Sequence, residues 1–512
     1  MNEKTKEVTR KKQVRRPTMK VRNNVKGITL IALVVTIVVL LILATVSIQM
    51  LGGENGIIKQ AIESKDKTKE EGAKEQIGVE VQGSYGIDGK IDIPLLNENL
   101  GHIEGITYKG ASLSDTNKIA SLPATVELEG VKVVINGDGS TAESVAGKRY
   151  EDETDIKVGG TPVTVPGKFT VSGLEEESTI EDGLVIYLVP DGTTVNWNDS
   201  TEVEYAQKNY DQFVWVPVPN AIAKDKNSDG TIDETDIDLM IADEEYPMAI
   251  ATDETNYRGI LYDFTLTEGK VTVSDKNWSA TSTSYREPAY LTNSNYADGS
   301  SYNTVGITES SLQSEFNAMV NKVSSKKGFW VGRYETSNMS SSNANDSSKQ
   351  IKVIKGTTAG INNVNWYRMY AQQKSYSKLA LGSGTVATSS MIWGSQWEQI
   401  MIWMKGVRNT NKNSYYVINA LGMGNYATSD DSDTNTSAPA PTGNSENYKV
   451  KNVYDLAGNV WDWSLEADTT SLRVLRGGYY NVTDSSSTRA VSRNYYYPYS
   501  SYTHNGSRAS LY

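Results

Sequence analysis

The chain has 512 residues, a formal net charge of -12 and no cysteine. Its length is enough for two or three hydrophobic cores. Without cysteine it forms neither disulfides nor thiolate metal sites, and its two histidines, His102 and His504, are too far apart in sequence to suggest a zinc cluster or a catalytic triad. Residues 1–27 carry ten Lys and Arg against Glu3 and Glu7, so this segment has a charge of +8 and the rest of the chain has -20. The acidic body argues against nucleic-acid binding.

Residues 28–51 form an uncharged apolar segment, ITLIALVVTIVVLLILATVSIQML. As a helix it would be roughly 36 Å long, which exceeds the ~30 Å hydrocarbon core of a bilayer. A buried helix of a soluble core is the alternative, but such helices rarely stay apolar on every face over this length. We therefore predict a transmembrane helix at 28–51, with residues 1–27 in the cytoplasm and the body on the surface of a bacterial cell membrane.

The junction of these two segments, Lys26-Gly27-Ile28-Thr29-Leu30-Ile31, resembles a prepilin processing site. The resemblance implies that a prepilin peptidase cleaves a leader, residues 1–27, between Gly27 and Ile28. Pilins usually carry Glu at the fifth mature position, where this chain has Ala32. Because that carboxylate pairs with the amino terminus of a neighbouring subunit, its absence favours a membrane anchor or a minor subunit at a pilus tip over a major pilin.

The segment after the membrane is rich in Lys and Glu, with apolar residues at helical spacing, and we predict a stalk helix in residues 52–82. Residues 83–158 contain short apolar runs separated by turn residues. Apolar and polar residues alternate in the runs 124–128 and 131–135, and Asn136-Gly137-Asp138-Gly139 follows as a turn. This pattern predicts a small β-rich, pilin-like module.

Residues 225–236 match the spacing of an EF-hand-type calcium loop, with glycine at the sixth position. Gly230 permits the sharp turn that would direct several oxygen atoms at one cation. The last position is Asp236 instead of Glu, as in dockerin-type loops. We predict a structural calcium ion here, and a solvated acidic loop is the alternative. The expected ligands are Asp225, Asn227, Asp229, Thr231 through its carbonyl, Asp233 and Asp236.

Two motifs near the carboxy terminus, Gly458-Asn459-Val460-Trp461-Asp462-Trp463 and Arg473-Val474-Leu475-Arg476-Gly477-Gly478, resemble signatures of the formylglycine-generating enzyme (sulfatase-modifying factor) family. Weaker matches occur at 213–218, 328–336 and 395–398, where the family has an opening strand, a strand entering a helix, and a later helix. The resemblance implies that residues 159–512 adopt a variant of the C-type lectin fold with long loops. The expected fold class of the whole chain is α+β.

Family members that oxidise a substrate cysteine use their own thiols, which this chain lacks. It also lacks a histidine dyad, a phosphate-binding glycine loop and a Gly-x-Ser-x-Gly motif. We therefore predict that the protein is not an enzyme. A carboxylate pair for glycoside chemistry stays open as an alternative, because Asp and Glu are plentiful and no spacing singles out a pair.

Residues 479–505, called the tail below, contain seven Tyr, six Ser, three Asn and three Thr among 27 residues. This composition is typical of a paratope, in which Tyr supplies contact area and Ser and Asn supply adaptable hydrogen bonds. Residues 508–512 have the pattern of a closing strand that would fix the tail to the fold. The alternative is that the aromatic residues pack against Trp461 and Trp463. The predicted ligand contacts are Tyr479, Tyr480, Asn481, Asn494, Tyr495, Tyr496, Tyr497, Tyr499, Tyr502, His504 and Asn505, with Arg476, Gly477, Gly478, Arg493, Gly506 and Arg508 as scaffold.

Such a tail at the carboxy terminus of a domain of this kind resembles the variable proteins of diversity-generating retroelements. In those systems adenines of a template repeat are randomised, so that Asn codons become codons for Tyr, Ser, Asp, His or Thr. The resemblance implies a surface-displayed protein whose tail is a diversified face for a protein or glycan ligand. The other hypotheses are a structural minor pilin, with pilus components as partners, and a degenerate enzyme of the sulfatase-modifying or carbohydrate-active type.

Overall fold

A computed structural model describes residues 57–109, 113–114, 118–218, 227–229, 256–258, 262–267, 270–275, 305–338, 350–356, 364–382, 385–404, 423–426, 437–467, 471–482 and 490–512. The chain divides into two compact units, Met1–Ala73 and Lys74–Tyr512. Within the described ranges, no helix has both the length and the apolar character needed to cross a bilayer. The predicted transmembrane helix at 28–51 and the predicted cleavage site at Gly27 and Ile28 lie outside these ranges.

Helices and strands are mixed along the described chain, which confirms the predicted α+β class. The helices are α1 (Ile57–Gln82), α2 (Ile93–Leu100), α3 (Ser200–Asn209), α4 (Glu309–Lys326), α5 (Trp366–Tyr376) and α6 (Gly394–Met404). The strands of the amino-terminal half are β1 (Thr107–Lys109), β2 (Ala124–Leu128), β3 (Val131–Ile135), β4 (Thr141–Glu143), β5 (Thr154–Val158), β6 (Thr161–Val165), β7 (Thr170–Val171), β8 (Val185–Tyr187) and β9 (Gln212–Pro217). Those that follow are β10 (Asn256–Arg258), β11 (Tyr262–Thr267), β12 (Lys270–Asp275), β13 (Gly328–Gly332), β14 (Ser389–Met391), β15 (Lys449–Val450), β16 (Val453–Tyr454), β17 (Trp461–Ala467), β18 (Arg473–Arg476), β19 (Arg493–Tyr496), β20 (Asn505–Ser507) and β21 (Ala509–Leu511).

A helix lies within the predicted range 52–82, and the predicted hairpin at 124–135 is present. Helix α1 covers most of the predicted range, and β2 pairs with β3 in an antiparallel sheet of order β1-β2-β3-β4. Glu129 and Gly130, which join β2 to β3, have φ of +52° and +85°, as a type I′ hairpin turn requires. Alternate side chains of both strands are buried, so one face of this sheet is its core side.

Strands β5 and β6 form a hairpin whose turn contains the predicted domain boundary between residues 158 and 159. Val158, Val163 and Val165 are buried in the large core of the carboxy-terminal region. Residues further toward the amino terminus are also hydrogen-bonded to this core, since the Tyr150 amide donates to the Phe169 carbonyl over 2.9 Å. The core of the carboxy-terminal region therefore includes residues on both sides of that boundary.

The largest sheet has the order β14-β21-β13-β9-β8-β7, with antiparallel neighbours. The predicted closing strand is confirmed, because β21 lies between β14 and β13, and the predicted helix at 395–398 lies within α6. The strand predicted at the start of 328–336 is present as β13, and residues 339–349, which follow this segment, lie outside the described ranges, so the helix that the resemblance places after the strand stays a prediction. The amides of Thr336 and Ser337 donate to the Ser507 and Lys352 carbonyls over 2.9 Å, so this short segment is held by long-range bonds.

A second sheet, of order β19-β18-β17-β20, carries the two carboxy-terminal motifs and part of the tail. Strand β20 runs parallel to β17, while β18 is antiparallel to both β17 and β19. The core around these two sheets is rich in indole rings. The fully buried tryptophans are Trp215, Trp330, Trp366, Trp393, Trp397, Trp403, Trp461 and Trp463.

Candidate functional site

The tail lies along the second sheet and ends in its strand β20. It leaves β18 through Gly477 and Gly478, forms the edge strand β19, and continues through residues 497–504 to β20. Within the tail, Arg493–Tyr496 pairs with β18 as strand β19. Tyrosine is favoured in strands, and an edge strand tolerates side chains that face solvent.

The described tail residues differ in exposure. Tyr495, Tyr497, Tyr499 and Tyr502 are 49%, 46%, 38% and 46% exposed, and Asn481 is exposed as well. The half-buried members of the predicted set are Tyr479, Tyr480, Asn494, Tyr496 and His504. Asn505 departs from the prediction: it is fully buried in β20, in register with Trp461 of the parallel strand, and therefore belongs to the interior.

The aromatic rings of the tail contact one another in two groups. In the first, the His504 ring lies 4.7 Å from that of Tyr479 and 5.1 Å from that of Tyr502, with an interplanar angle of 5° in the second pair. The rings of Tyr496 and Tyr502 are 5.3 Å apart. In the second group, Tyr497 and Tyr499 are stacked at 5.3 Å and 12°. Burial lowers the pKa of His504 and so favours its neutral imidazole.

The rest of the protein holds the tail largely through main-chain oxygen atoms. The Trp397 indole donates to the Ala490 carbonyl over 2.9 Å, and the Arg476 guanidinium donates to that of Val491. Backbone amides hold three further tail carbonyls: Gly477 donates to Ser492, Trp366 to Pro498, and Trp461 to His504, over 3.3, 3.1 and 2.8 Å. These bonds are independent of the side chains that the accepting residues carry.

Two arginines and two glutamates form a buried group beneath the start of β19, called the charge cluster below. Arg476 contacts Glu466 over 2.7 Å and Glu398 over 2.6 Å. Arg493, the first residue of β19, contacts the same two carboxylates. Both carboxylates are buried, and the formal charges of the four groups cancel, so each charge has a partner that offsets its desolvation. The cluster links α6, β17, β18 and β19.

The end of the tail is fixed by a second buried arginine site. The Arg508 guanidinium lies 3.3 Å from the Asp462 carboxylate and donates to the carbonyls of Gly332 and Tyr454 over 2.9 and 2.8 Å. At the other end, Gly477 has a φ of +88°, and a Cβ there would lie 2.6 Å from the Leu456 carbonyl oxygen. The motif RVLRGG therefore requires glycine at this position.

Three buried carboxylates lie close to the loop that leads into β17. Burial, together with the charges of Asp455 and Asp462, raises the pKa of Glu335 well above its ordinary value. Burial also raises the pKa of Asp462 to about 6, with Arg508 opposing the shift, and raises that of Asp455. Asn459 donates to Glu335, while Thr442 and the Gly443 amide donate to Asp455 over 2.8 Å. This arrangement orders the interior below the tail.

The predicted calcium loop is described only at residues 227–229. Asn227 and Asp229 are exposed, and the Asn227 amide donates to the Asp229 carboxylate over 2.9 Å. Asp225, Thr231, Asp233 and Asp236 lie outside the described ranges. Within those ranges no group of three or more acidic or histidine side chains could hold a metal ion. Calcium binding remains a prediction.

Sequence reasoning missed several residues that position the tail. The sequence motifs include Glu398 only as part of a helix signature, and they include neither Glu466 nor Trp366. A glutamate directly after Trp397 in an apolar helix was a usable signal, because a carboxylate there is buried and needs a cationic partner. The bond from the Trp366 amide to Pro498 joins residues more than a hundred positions apart and has no local signal.

No protein-family model matches the chain, and no curated protein matches it in sequence. Among solved structures, Treponema denticola variable protein 1 is similar with a TM-score of 0.26 and 16% identity, covering 36% of this chain and 84% of that one. PvdO from Pseudomonas aeruginosa is similar with a TM-score of 0.26 and 15% identity, covering 36% of this chain and 81% of that one. Likenesses at this level carry no argument about the function of this chain.

We expect the three buried carboxylates of Glu335, Asp455 and Asp462 to make the folded protein less stable as the pH rises from 5 to 7. Their folded-state pKa values lie above those of the unfolded chain, so their ionisation opposes folding above about pH 4 and does so increasingly until the pH passes the folded pKa. Asp462 alone accounts for about 1 kcal/mol over this interval. Urea unfolding at pH 5, 6 and 7 measures the slope of the free energy of unfolding against pH.

In the variant Glu335→Gln the slope should be smaller, since one of the titrating groups is gone. The exposed residue Glu104 provides the control, and Glu104→Gln should keep the wild-type slope. Equal slopes in the Glu335→Gln variant and the wild type would contradict the assignment of the titration to this group.

Proposed function

We propose that this protein is a ligand-binding protein displayed on a bacterial cell surface, in which the tail is an exchangeable binding face on a non-catalytic scaffold of the C-type lectin type. The main-chain bonds that hold the tail carry the proposal. Trp397, Arg476, Gly477, Trp366 and Trp461 all donate to tail carbonyls, which every residue type has. Side chains at exposed tail positions can therefore change without removing the bonds that fix the tail.

The distribution of burial supports the same conclusion. Four of the tyrosines are substantially exposed, whereas the residues that fix the tail, Arg476, Asn505 and Arg508, are fully buried. Substitutions at exposed positions usually change stability by about 0.5 kcal/mol or less, whereas those that leave a buried charge unpaired cost about 3–5 kcal/mol. Such a division between exposed and buried positions is what a diversified binding face needs.

Tyrosine suits an exposed contact position because it offers a large amphipathic surface with few rotatable bonds. In this protein the rings also contact one another, as in the stacked pair Tyr497 and Tyr499. A partly ordered contact surface loses less entropy on binding than a mobile one. The tail is thus suited to bind without a large rearrangement.

The proposal includes no catalytic step. The chain has no cysteine for the thiol chemistry of the formylglycine-generating enzymes. Its buried carboxylates Glu335 and Asp462 are bonded to Asn459 and Arg508 in the interior below the tail. We assign these acids to the scaffold.

A membrane anchor and a calcium site complete the proposal. Residues 28–51 have the length and apolar character of a membrane helix, and cleavage between Gly27 and Ile28 would give a prepilin-type amino terminus. The loop at 225–236 has the ligand spacing of a calcium site. Both assignments rest on sequence patterns.

Calcium should raise the melting temperature of the full-length protein and give binding heat in calorimetry, with a dissociation constant between about 10⁻⁷ and 10⁻³ M. Both effects should be lost in the double variant Asp225→Ala and Asp229→Ala, because two carboxylate ligands are removed. Glu104→Ala removes an exposed acid elsewhere and should retain them. The absence of both binding heat and a rise in melting temperature in the wild type would contradict calcium binding.

A comparison of sibling genes from one bacterial population tests the diversified face. Differences should concentrate at codons for Asn481, Tyr495, Tyr497, Tyr499 and Tyr502, and a near-identical template repeat differing at adenines should lie beside a reverse-transcriptase gene. The codons for Arg493 and Arg508 should be constant, because both arginines contact buried carboxylates. Differences spread evenly over the gene, or no template repeat, would contradict diversification.

A further inference from the structure

The exposed part of the tail combines aromatic rings with uncharged polar groups. Among the described tail residues, Arg493 is the one with a permanent formal charge, and its guanidinium is paired with Glu398 and Glu466 in the charge cluster. His504 is half-buried among aromatic rings, and burial favours its neutral form. The described surface of the tail is therefore close to electrically neutral, although the chain as a whole carries -12.

A neutral surface limits the classes of ligand. A strongly charged ligand loses solvation on binding and needs opposite charges to offset that loss. The described tail surface offers none, so acidic polysaccharides and strongly charged protein surfaces fit it poorly. An uncharged ligand with both apolar and hydroxyl groups carries no charge whose lost solvation would have to be offset.

The rings form flat platforms of about the size of a sugar ring. Tyr497 and Tyr499 are stacked and both are exposed, and the residue between them, Pro498, is buried and accepts a hydrogen bond from the Trp366 amide. Tyr502 is exposed and stacked on His504. Stacking covers one face of each of these tyrosine rings, and because the three side chains are 38–46% exposed, a pyranose can place its C–H face on the opposite face.

Hydrogen-bonding groups lie along the chain between these platforms. Ser500, Ser501 and Thr503 separate Tyr499, Tyr502 and His504 in sequence, and all three are at least partly exposed. Their hydroxyls can donate to and accept from sugar hydroxyls. A few placed polar groups around an apolar contact are characteristic of small-ligand sites.

We infer that the tail of this chain binds an uncharged glycan, with sugar rings stacked on Tyr497, Tyr499 and Tyr502. The inference rests on the proposed function and specifies its ligand class. Because no charge pair contributes, binding should depend little on salt. The affinity should come from ring stacking and from hydrogen bonds to the neighbouring hydroxyls.

The test is calorimetry and array binding of the full-length protein with neutral oligosaccharides, namely glucan, mannan, galactan, xylan and chitin hexamers, and with oligogalacturonate as the acidic counterpart. At least one neutral hexamer should bind, with less than about a twofold change in affinity between 50 and 500 mM NaCl. The double variant Tyr497→Ala and Tyr499→Ala should weaken binding at least about tenfold, which corresponds to about 1.4 kcal/mol.

Two matched variants identify the cause of any loss. Tyr497→Phe with Tyr499→Phe keeps both ring faces and should keep most of the affinity. Tyr205→Ala removes a tyrosine that is 58% exposed on α3, away from the tail in sequence, and should leave binding unchanged. Thermal unfolding of each variant confirms that it is folded.

Several outcomes would overturn the inference: no neutral hexamer binds, the acidic counterpart binds better, or salt weakens binding more than tenfold. Capture of a protein ligand through the same tyrosines would overturn the glycan assignment while leaving the proposed function intact. Glycan binding that is unchanged in the Tyr497→Ala and Tyr499→Ala variant but lost in Tyr205→Ala would contradict both the glycan assignment and the proposed role of the tail as the binding face.

Discussion

The structure around the tail depends on two buried carboxylates, those of Glu398 and Glu466, each shared by Arg476 and Arg493. These charges are stable in the interior only as a group, because an unpaired buried charge costs several kcal/mol. The group therefore fixes the positions of four elements relative to one another: α6, β17, β18 and β19. The first exposed tyrosine, Tyr495, lies in β19, and the other exposed tyrosines follow this strand in the chain. The charge cluster therefore sets the direction in which this part of the tail runs.

Beyond β19 the tail is held by its carbonyl oxygens, and at its end by Arg508. The energy that orders the tail therefore comes from the main chain and from buried residues next to it. The four exposed tyrosines, Tyr495, Tyr497, Tyr499 and Tyr502, lie outside the hydrophobic core. This separation explains how a segment with seven tyrosines can lie at the surface of a stable fold.

The sequence was sufficient for features that local patterns encode. It predicted the helix within 52–82, the hairpin at 124–135, the helix at 395–398 and the closing strand, because spacing, turn residues and motif resemblance specify each of them locally. It was wrong about Asn505, which is buried because β20 pairs with β17, and no local pattern encodes that pairing. The partners of Glu466 could not be predicted for the same reason.

The central claim is that exposed tail side chains are exchangeable while the buried residues that hold the tail are fixed. A library randomised at Asn481, Tyr495, Tyr497, Tyr499 and Tyr502, sorted for protease resistance and sequenced, tests it most directly. The claim predicts that most members resist proteolysis as well as the parent, while a second library randomised at Arg476, Arg493 and Arg508 yields almost no resistant members beyond the parent sequence. Recovery of resistant members only where the five original residues are retained would contradict it.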